Sequence, residues 1–238
     1  MPMTRNLKTC TLKTSLAAAL LAGSALAAPS AFAQDDSGFS LSANTAIVSD
    51  YRFRGISLSD RDFALQGGMD VEHDSGFYVG AWGSSIDTFG GSEFELDIYA
   101  GYATKFGDLD ADFGLLAYTY PGSDDTTYIE FYSSLGGTAG TVDWTVGGAY
   151  VWDQENVGST DNIYLYLDAG MPLGDTPFSL AGHIAYEDGA FGDDKWDWNV
   201  GVAYAFEQFE LSVAYVDTAN VGGRLAKGSV VAMLSASF

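Results

Sequence analysis

Two arginines, a dozen carboxylates and a set of tyrosines are the side chains through which this chain could act on a solute. The segment Ser49-Asp50-Tyr51-Arg52-Phe53-Arg54-Gly55-Ile56-Ser57 is the densest basic spot in an otherwise acidic sequence. Its aromatics and cations alternate, so an extended strand would turn Tyr51 and Phe53 to one side and Arg52 and Arg54 to the other. The same alternation puts Asp50, Asp70, Glu93, Glu95, Asp97, Glu130 and Asp168 on polar faces, with Lys105 as a further positive charge. Tyr128, Tyr164 and Tyr166 fall on such faces as well. If those faces enclose water, the carboxylates favour cations, and a positive strip opposite them sets a transverse field. A second reading is open for each group. The charges brace one another as ion pairs, and the tyrosines fill space with their hydroxyls tied to carboxylates.

Catalysis has less to build on. His183 lies near Ser179 in sequence and His73 lies by a predicted turn, but no Gly-x-Ser-x-Gly elbow is present and no third group is marked to orient a Ser–His pair. Paired acids for glycoside hydrolysis carry no signal where acids are everywhere. There is no phosphate-binding glycine loop and no cluster with metal-ligand spacing. Acids such as Asp60, Asp62, Asp124, Asp125, Asp153, Glu155, Asp193 and Asp194 sit in predicted loops, where oxygen ligands suit divalent cations. Their spacing matches no calcium motif, and solvated loops account for them. The expectation is a protein that is not an enzyme and uses no cofactor or metal.

The elements that must position these residues begin after an export signal. Arg5, Lys8 and Lys13 precede an apolar run from Ser15 to Ala28, and Ala31-Phe32-Ala33 gives a cleavage site before Gln34. The expected division is therefore a signal peptide over 1–33 and a single domain over 34–238. The one cysteine, Cys10, lies in the signal, so disulfides and thiol chemistry are not expected of the mature chain. Three of the ten basic residues and none of the 32 acidic ones leave with it, so the mature balance is 7 − 32 = −25. That charge repels nucleic acid and attracts cations.

Period-two alternation recurs along the remainder. Twelve segments show it, over 39–54, 62–73, 76–85, 93–106, 109–119, 126–138, 141–152, 161–171, 177–187, 194–206, 208–217 and 228–238. Each is long enough for a tilted strand to cross a bilayer. Connections after even-numbered segments are tight, and those after odd-numbered ones are longer and rich in Gly, Asp and Ser. Outer-membrane barrels have that asymmetry. Pro121, Pro172 and Pro177 all fall at connections or strand ends. Outward aromatics sort into two bands: Phe39, Phe77, Phe106 and Phe206 with others at the short-turn end, and Tyr51, Phe53, Phe63, Tyr150 and Trp196 with others at the loop end. Aromatic girdles mark the two bilayer interfaces. The alternative, a secreted β-sandwich, has no reason to sort aromatics in this way. The predicted fold is all-β: a transmembrane up-and-down antiparallel barrel of about twelve strands.

One family resemblance bears on this. Ser49 to Ser57, Gln66-Gly67-Gly68, Ser75 to Ser84 and Glu95 to Tyr102 are similar to the TorF-type porin family, a proteobacterial group also carried as the conserved hypothetical Gcw family. The resemblance is strongest over 40–105, and it implies an outer-membrane barrel with a pore role. It supplies no substrate or catalytic residue. The combined expectation is a Gram-negative outer-membrane channel for passive diffusion of small hydrophilic solutes, with a cation preference. Its partners would be outer-membrane lipid and lipopolysaccharide, and the barrel-assembly machinery through a last strand ending on Phe238. The alternative is a non-conducting barrel with a structural or surface-binding role.

Overall fold

The computed structural model describes residues 38–123 and 126–238. The predicted signal over 1–33 with Cys10, and the loop acids Asp124 and Asp125, lie outside the described residues. Twelve long strands form one closed antiparallel barrel, and two short strands form a separate hairpin. The first part of the chain gives β1 (Phe39–Val48), the hairpin β2 (Arg52–Phe53) and β3 (Ile56–Ser57), then β4 (Ala64–His73), β5 (Phe77–Phe89), β6 (Ser92–Phe106), β7 (Leu109–Thr119) and β8 (Tyr128–Ala139). The second part gives β9 (Val142–Val151), β10 (Asn162–Pro172), β11 (Phe178–Gly189), β12 (Gly192–Phe206), β13 (Phe209–Ala219) and β14 (Ser229–Ser237). Each long strand pairs with the next long strand in the chain, and β1 pairs with β14, with Ile47 opposite Leu234, to close the cylinder. Closure leaves no unpaired sheet edge, which an apolar solvent demands.

Alternation explains which face goes where. On β6, Phe94 and Ile98 are exposed on the outside while Glu95 and Asp97 are buried inside. The aromatic bands are present: Phe39, Phe77 and Phe106 are exposed at the short-turn end, and Phe63, Tyr150, Trp196 and Tyr215 at the loop end.

Two expected loops are strand instead. The chain turns between β5 and β6 at Gly90-Gly91, and between β11 and β12 at Ala190-Phe191. Both Gly90 and Gly91 have positive φ, as a two-residue hairpin turn requires. The Gly-, Asp- and Ser-rich composition there accompanies long protruding hairpins, not irregular loops.

The interior is narrower than its many small residues suggest. A Cβ at Gly147 would lie 2.4 Å from the Tyr166 ring, and one at Gly80 would lie 2.4 Å from the Tyr99 ring. Gly101 stands in the same relation to Tyr78, and Gly114 to Tyr132. These glycines are seats for tyrosine rings lying flat on the wall. They do not open the lumen.

The main departure concerns the first segment. The strand expected over 39–54 ends at Val48, and the chain from Asp50 to Ser59 folds into the barrel. Tyr51 is not lipid-facing: it is 3% exposed, edge-on to the inward Trp82. Phe53 also turns inward, packing edge-on against Tyr118. Alternation reported correctly that the two aromatics share a side. It carried no information on whether lipid or lumen lay beyond it.

Candidate pore constriction

The candidate constriction is built on a four-residue reversal. Arg52 pairs with Ser57 and Phe53 with Ile56, leaving Arg54-Gly55 as the turn. Both turn residues have positive φ, 47° and 82°, the left-handed pair of a type I′ hairpin. Glycine is required at the second position for a further reason. A Cβ on Gly55 would lie 2.4 Å from Thr218 Cγ2 and 2.8 Å from Asp197 Cβ, on the barrel wall. The tip of the hairpin is thus pressed against β12 and β13.

Arg54 extends from this tip across the lumen. Its guanidinium donates to Glu130 on β8 at 2.5 Å and to Glu187 on β11 at 2.7 Å. It stacks over the Tyr164 ring, 4.3 Å from the centroid. Burial alone would depress its pKa, but Glu130 and Glu187 outweigh that and hold it well above the ordinary guanidinium value. Lys195 donates to the Arg54 carbonyl at 2.9 Å and also pairs with Glu187. Asn162 donates to Glu187 at 3.0 Å.

Arg52 works differently, as an anchor. It is 1% exposed and donates to Asp50 at 2.7 Å, to the carbonyls of Gly55, Leu225 and Lys227, and to Ser229 Oγ at 2.7 Å. Asp50 is fixed in turn by the Ser57 hydroxyl at 2.6 Å. The first loop is therefore clasped to the last one, 220–228. On the far side Tyr51 donates its hydroxyl to Glu95 at 2.7 Å. Burial, with Glu95 and Asp97 close by, pushes that phenol well above its ordinary pKa.

Toward the short-turn end of this hairpin lies a chamber of about 130 Å³. Its walls include Arg54, Asp97, Glu130, Tyr164, Tyr166 and His183. Tyr118 donates to Glu130 at 2.9 Å and stacks on Tyr128, with ring centroids 4.5 Å apart. His183 is pinned between acids: Nδ1 is 2.6 Å from Asp168, and Nε2 is 2.9 Å from the Tyr164 hydroxyl and 3.3 Å from Asp197. Ser179 lies four positions along the same strand, about 13 Å away at strand rise, so the Ser–His pairing considered from sequence does not come together.

Of the residues singled out by sequence, Asp50, Arg52, Arg54, Glu95, Asp97, Glu130, Tyr128 and Tyr164 converge on or beside the hairpin. Asp168 and Tyr166 line the region below it, and Asp70 accepts from Tyr99 further along the wall. Two stand apart. Glu93 is exposed near the loop end of β6, and Lys105 is exposed at the short-turn rim, paired with Asp110.

Residues 32–234 match the family described as bacterial protein of unknown function, Gcw_chp. The chain belongs to that family. No curated protein sequence matches it. Among solved structures, this Gcw_chp protein is similar to the KdgM porin, with a TM-score of 0.59 and 8% identity over 83% of this chain and 98% of that one. It is also similar to the NanC porin, with a TM-score of 0.55 and 13% identity over 83% and 98% of the two chains. At these identities the likeness is one of fold: a closed antiparallel barrel resembling those two porins.

Sequence alone does not mark Tyr78, Tyr99, Glu187 or Lys195 as site residues. Glu187 and Lys195 flank a stretch that reads as a loop, whereas the ladder of β11 and β12 extends through them. The signal available was that Lys195 is preceded by Asp and followed by alternating Trp, a pattern that continues the strand outward.

Proposed function

We propose that this protein is a Gram-negative outer-membrane channel through which small hydrophilic solutes diffuse passively, with a preference for cations. The observation that carries the reading is the Arg54 hairpin folded into a closed barrel whose inner wall carries acids, above a chamber lined by tyrosines and carboxylates. A lumen narrowed by an inward loop and lined by carboxylates discriminates by charge and size. The TorF-type porin resemblance of Ser49 to Ser57 supports the same reading. The predicted signal peptide delivers the chain to the envelope, and the exposed aromatic bands suit a bilayer with lipopolysaccharide on its outer leaflet.

The test is to refold the mature chain into a planar bilayer and record single channels under a salt gradient. Discrete current steps with a cation-selective reversal potential are expected. The competing reading, a closed barrel with a structural or surface-binding role, is favoured by one specific feature: Arg54 locks the loop to both Glu130 and Glu187. Protein that inserts fully and passes no current would establish that alternative.

A further inference from the structure

The chamber under the hairpin has a chemical bias. Three buried acceptor atoms of residues that line it, Asp97 Oδ1, Asp197 Oδ2 and Asn199 Oδ1, have no hydrogen-bond partner. Their residues are 2%, 3% and 7% exposed. Buried polar atoms are ordinarily paired, and a buried carboxylate oxygen left without a donor is costly. The other chamber acids are already engaged: Glu130 with Arg54 and Tyr118, and Asp112 with the Tyr78 hydroxyl at 2.7 Å. The unmet demand is thus for N–H or O–H donors and positive charge. It comes from opposite walls, since β6 and β12 face each other across the twelve-strand cylinder.

The remaining lining is largely aromatic, with Tyr99, Tyr132, Tyr166 and Trp82 around the same space. Aromatic faces attract organic cations, and Arg54 over Tyr164 shows a guanidinium held in that way here. Among the described residues, no three acidic or histidine side chains converge as a metal-ion shell requires. A volume of about 130 Å³ is close to the roughly 150 Å³ that accommodates benzene, so a ligand of a few heavy atoms fits.

We infer that this chamber is a binding site for a small organic cation carrying N–H donors, of the alkylammonium or alkylguanidinium class. The inference rests on the channel reading for the ligand's access, but the binding itself is a separate property. The test is isothermal titration of the refolded mature protein in detergent with methylguanidinium chloride. Potassium chloride serves as an ionic control, and methylurea as the neutral isostere. Saturable binding of methylguanidinium is expected, at least tenfold tighter than methylurea, and weakened at least tenfold by Asp97→Asn with Asp197→Asn. Gel migration with and without heating confirms that the double variant is folded. Where it is not, the comparison with methylurea on the unmodified protein decides. No saturable heat, the result if water alone satisfies the two acids, overturns the inference. Equal binding of methylurea, or unchanged affinity in a folded double variant, does the same. Binding without conductance retains the site and removes the channel, whereas conductance without binding removes the site alone.

Discussion

At the scale of single residues, Arg54 and Gly55 hold the most leverage. Arg54 is the shared cation of two buried carboxylates, so removing it leaves Glu130 with the Tyr118 hydroxyl and no cation, while Glu187 keeps Lys195. Breaking one side of a buried ion pair costs on the order of 3–5 kcal/mol. Arg54→Ala is expected to loosen the hairpin, raise single-channel conductance and shift the reversal potential further toward the cation limit. The combined Arg52→Ala and Arg54→Ala variant should shift it more. Unchanged ion selectivity in the double variant would leave these arginines a bracing role only. Gly55→Ala addresses backbone and space together. Its positive φ and its 2.4 Å approach to Thr218 leave no room for a methyl, and strain of this kind costs about 1–3 kcal/mol. The expected result is a hairpin displaced from the wall, read as faster proteolysis within 49–63 with the barrel intact.

At the scale of elements, strands and seats follow different rules. Gly147 and Gly101 lie under the Tyr166 and Tyr78 rings. Gly147→Val should lower the melting temperature of the refolded barrel by displacing Tyr166 into the chamber, while Gly222→Ala, where a Cβ meets nothing within 4 Å, should not disturb the chamber. Much of the strand plan was legible in sequence. Alternation located twelve barrel strands because one face must suit lipid and the other must not, and that difference is written in every second residue. What alternation lacks is a sense of inside beyond the ladder. Tyr51-Arg52-Phe53-Arg54 continues the period of β1, yet the ladder has already ended at Val48. An Arg-Gly turn is a weaker hairpin signal than Asn-Gly, so the reversal that builds the constriction was hidden in a run that reads as strand. The lumen charges on β6 and β8 were legible for the same reason that the strands were. Glu187 and Lys195 on the tips of β11 and β12 were not, because glycine- and aspartate-rich ladder tips resemble loops.

At the scale of the whole molecule, the acidic balance and the two aromatic bands describe a body that stands across a bilayer with polar contents. Its predicted delivery is testable directly: N-terminal sequencing of protein recovered from outer membranes should begin at Gln34. Assembly is testable at the other end. Removal of Phe238, whose N–H donates to the Ala43 carbonyl at 2.9 Å across the closing seam, should slow folding into membranes more than it lowers the stability of the finished barrel.

The clasp on Arg52 has a temporal meaning. Its partners Leu225, Lys227 and Ser229 lie 173 to 177 residues further along the chain, on the last loop and the last strand. A nascent or half-inserted chain has made the hairpin's own turn long before it has made the hands that hold it. Tyr51 and Arg54 can meet Glu95, Glu130 and Glu187 earlier, but the Arg52 clasp has nothing to close on until the last loop and β14 have arrived. Closing of the clasp becomes a record that construction is finished. A barrel that stalls before β14 would carry its first loop without this clasp, and is expected to be cut there by proteases faster than the completed one.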